Sequence, residues 1–167
     1  MSTTPTPTGT IGGGPLGREV RITRQYRAGI DDVWAAATEP ERMRRWIGYW
    51  EGDPASGHVQ FTMSAEGEDV EPEEVRIVEC DPPRRLAVVT AVGEQSWHLR
   101  LELTHEAGVT TLMLAQAVGD DDMSNVGPGW EYYLDRLGAA FDGRDVGSVV
   151  WDDYYPAMKE YYAALAR

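Results

Sequence analysis

The chain has 167 residues, 42% of them hydrophobic and 26% charged, a globular balance that fits one domain rather than a disordered chain. Fifteen basic against 28 acidic residues leave a formal charge of −13, which speaks against duplex nucleic acid and anionic membrane as partners, since both select cationic surfaces. The single cysteine, Cys80, excludes an internal disulfide framework and a cysteine-based zinc cluster.

Residues 1–17 contain 14 Gly, Pro, Ser or Thr and no charge, so they are predicted to form a flexible tail ahead of a folded domain over 18–167. The tail contains Gly12-x-Gly14-x-x-Gly17, the spacing of a dinucleotide fingerprint. No strand pattern precedes it and Pro15 interrupts it, so it lacks the strand–turn–helix context that gives the motif meaning. There is no basic-then-apolar leader and no apolar run long enough to span a bilayer. The expectation is a soluble, cytoplasmic protein without membrane insertion. Lys159 is the only lysine, and the Arg bias points to a GC-rich coding sequence of bacterial type.

The first regular pattern is a strand over 19–28, with Val20, Ile22, Tyr26 and Ala28 on one face and Arg24 interrupting it. Two short helices are predicted next. One is IDDVWAAAT, opened by Asp31 and Asp32, and the other is PERMRRWI, opened by Pro40. Strands are then predicted over 58–65, 74–80, 84–92, 96–104 and 109–118. In the fourth of these, Trp97, Leu99, Leu101 and Leu103 face inward. Short turns between them imply an antiparallel meander with one buried face. After Gly127-Pro128-Gly129, the residues Trp130, Tyr133, Leu134, Leu137 and Phe141 make one apolar stripe on a long helix. The final segment, 148–166, has helical periodicity with a break expected near Tyr155, where Pro156 removes a hydrogen bond. The sum is an α+β protein: a curved antiparallel sheet with a helix laid across its concave face.

Catalytic signatures are weak. There is no Gly-x-Ser-x-Gly elbow, and Cys80 lies at a strand end without a basic neighbour to favour thiolate. His98 and His105 are seven apart, so on one strand they face opposite sides. Asp120, Asp122, Ser124 and Glu131 have a calcium-loop spacing, but Asn125 stands where glycine is needed and Pro128 interrupts the loop. Seven acids between Glu66 and Glu79 read as a solvated hairpin tip. No metal and no cofactor is expected.

Three stretches carry a family resemblance. They are Tyr26-Arg27-Ala28 with Asp32 to Glu41 and Arg45-Trp46; Gly129-Trp130 with Leu134-Asp135-Arg136-Leu137; and the aromatic segment from Trp151 to Tyr162. Together they resemble the START-like helix-grip (SRPBCC) superfamily, in particular its branch homologous to the C-terminal domain of the activator of the 90-kDa heat-shock-protein ATPase. The resemblance spans about residues 18–167 and implies a curved sheet wrapped around a long C-terminal helix, with two short helices after the first strand. It also implies a deep cavity suited to a hydrophobic small molecule, although the matching motifs contain no catalytic signature.

Ligand pockets are mostly apolar with a few polar groups. The expected lining is therefore Trp46, Trp50, Phe61, Met63, Trp97, Leu99, Met113, Trp130, Tyr133, Leu134 and Leu137, with Arg24, Tyr26 and Thr111 as polar members. Arg24 is the sharpest of these, because a buried guanidinium needs a carboxylate or an acidic ligand. The function expected is binding of a hydrophobic or aromatic small molecule. The alternatives are an aromatase/cyclase-like enzyme acting on a polyketide and a chaperone-cofactor or stress-response interaction module. A homodimer is compatible with all three.

Overall fold

The computed structural model describes residues 5–64, 71–92, 95–118 and 123–165. Strand β1 (Thr10–Gly14) turns into β2 (Gly17–Tyr26), and helices α1 (Ile30–Thr38) and α2 (Pro40–Met43) then carry the chain to the far edge of the sheet. From there β3 (Gly48–Glu51), β4 (His58–Met63), β5 (Glu73–Asp81), β6 (Arg85–Val92), β7 (Gln95–Glu106) and β8 (Val109–Ala117) return as a meander until β8 pairs with β2. The result is one sheet in the order β1-β2-β8-β7-β6-β5-β4-β3, antiparallel throughout. Helix α3 (Val126–Phe141) and the short α4 (Lys159–Leu165) follow. This is the expected α+β helix-grip architecture.

Every strand and helix expected between residues 18 and 141 is present, with shifted ends. The second short helix stops at Met43, because the chain turns to enter β3, a four-residue strand whose short alternation gives little signal. Helix α3 begins four residues before Trp130. Pro128 fits its first turn, where the missing N–H has no intrahelical partner to lose.

The glycine-rich tail is the main correction. Thr10–Gly14 form an edge strand paired with β2 from Thr10↔Arg21 to Gly14↔Gly17, and residues 5–9 are described as well. Glycine serves close packing here rather than freedom. A Cβ on Gly9 would lie 2.4 Å from the Tyr162 hydroxyl, and one on Gly127 would lie 2.2 Å from the same ring. Composition reports flexibility correctly only when no neighbour requires the missing side chain.

Helix α3 is enclosed on more than its apolar stripe. Leu134 and Leu137 pack toward the sheet, while Tyr132 meets Tyr154 and Trp151 from the C-terminal segment. That segment is broken as expected around Pro156. A short 3-10 turn at Trp151–Asp153 precedes it and α4 follows. Among the described residues no helix is long and apolar enough to cross a membrane.

Candidate functional site

Between the concave face of the sheet and the helices lies an open cavity of about 420 Å³. Its floor is the inward-facing residues of five strands: Val59, Phe61 and Met63; Val75, Ile77 and Cys80; Leu86, Val88 and Thr90; Trp97, Leu99 and Leu101; Leu112 and Leu114. Its walls are Trp130, Leu134 and Leu137 from α3, with Trp34, Ala37, Met43, Trp46, Ile47 and Trp50 from the entry segment. Thr38, Glu39, Pro54, Glu73 and Arg100 complete the border.

Period-2 alternation on adjacent strands selects these positions. Antiparallel partners share a face, so Val59↔Val75↔Thr90↔Trp97 is one row across four strands and Leu101↔Leu114 is another. Strand β5 breaks the rule once. A bulge between Ile77 and Glu79 makes Val78 the extra residue, 62% exposed, and changes the phase so that Cys80 joins Ile77 on the cavity side.

The aromatic walls are fixed by their polar ends. Trp46 donates its indole N–H to the Ala36 carbonyl at 3.0 Å, Trp50 to the Thr38 carbonyl at 2.7 Å, and Trp130 to Oε1 of Gln116 at 2.7 Å. Each ring is thereby locked, and its donor is used within the protein. What these three indoles present to the cavity is apolar surface.

Nine of the fourteen residues expected to contact a ligand line this cavity: Trp46, Trp50, Phe61, Met63, Trp97, Leu99, Trp130, Leu134 and Leu137. Five do not. Met113 and Thr111 lie on the outer face, because the register puts Leu112 and Leu114 opposite the inward Leu103 and Leu101. In the run Leu-Met-Leu, hydrophobicity alone could not set the phase, and the two leucines take the inside. Thr111 instead accepts a hydrogen bond from Gln25. Tyr133 packs edge-on against Tyr132 and Trp130 rather than on the cavity. Tyr26 is buried against Phe141, with ring centroids 5.2 Å apart, and burial pushes its hydroxyl well above the ordinary tyrosine range.

Arg24 is also away from the cavity, and its partners are carboxylates of α3. Its Nε donates to Asp135 and its Nη2 to Glu131, both at 2.9 Å. Glu131 is fully buried and accepts further hydrogen bonds from Tyr162, the Thr8 hydroxyl and the Thr8 backbone N–H. Tyr154 donates to the other oxygen of Asp135. The guanidinium that interrupts an apolar strand face thus pins the N-terminal segment, α3 and the C-terminal segment together. Burial opposes its charge, but Asp135 and Glu131 outweigh that and raise its affinity for the proton.

The lining outside the expected set came from three sources, the first being strand residues such as Val59, Val75, Val88, Leu101 and Leu112, which complete the rows set by alternation and register. Trp34 and Met43 sit on short helices and Ile47 on the turn after α2, where only the tertiary arrangement defines the inward side, and Cys80 needs the bulge. Asp120, Asp122, Glu66, Glu68 and Asp69 lie outside the described residues. Among those described, no group of three metal-ligating side chains converges.

Comparison with known proteins agrees with this geometry. The crystal structure of CalU16 from Micromonospora echinospora is 30% identical, with 96% of this chain and 97% of that chain covered and a TM-score of 0.70. A solution structure of a protein from Bordetella parapertussis matches at 21% identity over 93% of this chain and 95% of that one, TM-score 0.65. DynU16, from the dynemicin biosynthetic locus, matches at 23% identity over 77% of this chain and 49% of that one, TM-score 0.64. No curated protein gives a significant sequence match. The profile described as Activator of Hsp90 ATPase homolog 1-like protein matches residues 27–142, which is most of the chain and includes both the entry helices and α3. The protein therefore belongs to the family of proteins like activator of Hsp90 ATPase homolog 1, on the SRPBCC-type helix-grip fold.

Proposed function

We propose that the protein binds a hydrophobic, aromatic small molecule in the cavity between the sheet and α3, as a cytoplasmic carrier or sensor, and that Trp46, Trp50, Phe61, Met63, Trp97, Leu99, Trp130, Leu134 and Leu137 contact it. The observation that carries this reading is the set of three indoles whose N–H groups are already bonded to protein acceptors. Such a wall rewards apolar contact and offers no donor of its own. A volume of about 420 Å³ is in the range of drug-sized ligand sites.

A cyclase-like enzyme would need a titratable pair inside the cavity to move protons. Arg24 and Tyr26, the pair offered by the sequence, belong instead to other contacts, and the charged residues on the cavity border are Glu39, Glu73 and Arg100. A protein-interaction module would be favoured by a core filled by its own Trp and Met side chains, and this cavity is open. The test is native mass spectrometry of the purified protein followed by organic extraction, with a thermal-shift panel of lipids and polyketides. A co-purifying apolar molecule, or a shift with aromatic members of the panel, is expected. No bound molecule and no shift with any member would overturn the reading.

A further inference from the structure

The apolar cavity has two carboxylates on its border, Glu39 and Glu73. Glu73 lies at an inward-facing position of β5, opposite Phe61 on β4, which in turn lies opposite Trp50 on β3. Trp50, Phe61 and Glu73 therefore form one row across three strands on the cavity face, with a carboxylate where alternation calls for an apolar side chain. The Trp50 indole donates to the carbonyl of Thr38, the residue before Glu39, so the same ring ties the α1–α2 junction to this row. Glu39 and Glu73 both border the cavity and both are exposed. Among the described residues neither carboxylate has a hydrogen-bond or ion-pair partner.

The cation at the border does not compensate them. The Arg100 guanidinium is held by Glu19 and Glu102, so its charge is already more than matched. The surroundings are acidic as well, with a formal charge of −13 on the chain. Two carboxylates without a partner among the described residues, on a cavity border shared with Trp50 and Phe61, supply the groups that hold an ammonium by charge attraction and cation–π contact.

We propose that the ligand is a hydrophobic amine, whose apolar body enters the cavity and whose protonated nitrogen remains at the mouth between Glu39 and Glu73 over Trp50. The inference rests on the small-molecule reading above and adds the charge of the ligand to it. Both acids are solvent-exposed, so each contributes modestly, and the expected preference for a cation over its neutral analogue is roughly three- to tenfold.

The experiment compares aminomethyl-, hydroxymethyl- and carboxyl-substituted anthracene at neutral pH, following quenching of tryptophan fluorescence. The expected order is amine, then alcohol, then acid. The amine's advantage over the alcohol should shrink with added salt and vanish in the E39Q/E73Q double variant. Equal binding of amine and alcohol, or an amine advantage that survives in E39Q/E73Q, would overturn the amine assignment and leave the cavity reading standing. Binding of none of the three would remove the cavity reading and this inference together.

Discussion

Tyr162 donates its phenolic hydrogen to the carboxylate of Glu131 across 2.7 Å, and both residues are fully buried outside the cavity lining. The same hydroxyl accepts the Gly9 N–H at 3.1 Å, while Tyr161 donates to the Gly9 carbonyl. One phenol thus joins the N-terminal segment, α3 and α4. Y162F removes the donor and leaves a buried carboxylate short of one hydrogen bond, at a cost of about 1–3 kcal/mol. Urea unfolding should show that loss, while the affinity for hydroxymethylanthracene stays unchanged. Unfolding at the wild-type urea concentration would mean that this seam does not secure the N-terminal segment.

Alkaline pH should weaken the same region. Burial, then the charge and hydrogen bond of Glu131, push the Tyr162 hydroxyl above its ordinary range. Burial, then the hydrogen bond and charge of Asp135, do the same to Tyr154, and burial does so to Tyr26. An unfolded tyrosine titrates near 10, so a group raised in the native state contributes stability that is complete below about pH 10 and is lost as pH climbs above it. Urea midpoints measured from about pH 8 to about pH 12 should be flat at first and then fall. Y154F should fall less steeply than wild type. Parallel curves would show that Tyr154 titrates alike in both states.

How much of this was legible in the sequence depends on what each feature needed. Clean alternation, as in Trp97-His98-Leu99-Arg100-Leu101, fixed an inward face that the structure keeps. The apolar stripe of α3 was equally plain at Trp130, Leu134 and Leu137. The register of β8 was not, because Leu-Met-Leu satisfies either phase and only pairing with β7 decides it. Arg24 was recognisable as needing a carboxylate, but its partners lie 107 and 111 residues away, and no local pattern links them. The strand at Thr10–Gly14 was hidden because glycine reads as freedom until Tyr162 and β2 are in place.

Filling the cavity separates binding from folding. Val88 is half-buried in the floor on β6, opposite Ile77 and Leu99. V88W projects a large ring into open space, where it gains apolar contact without displacing a packed neighbour. The expected result is a folded protein with a melting temperature at or above that of wild type and no binding of hydroxymethylanthracene. Wild-type affinity in a folded V88W protein would place the ligand elsewhere.

Cys80 reports on the cavity because of the bulge before it. Uniform alternation from Val75 would put Glu79 inside and Cys80 outside, whereas the actual pairing is Ile77↔Val88, Glu79↔Ala87 and Cys80↔Leu86. Glu79 then stays outside, where its carboxylate meets Arg85 at 2.7 Å. Cys80 is exposed at the border and is the chain's only thiol, so N-ethylmaleimide should label it once. Saturation with hydroxymethylanthracene should slow that labelling severalfold. Deleting Val78 removes the extra residue and leaves every one of those pairs available to a regular strand. The deletion variant should fold, label once and remain protected by the probe. If protection is lost while the fold is retained, β5 has re-registered, and the bulge itself is what holds Cys80 at the mouth.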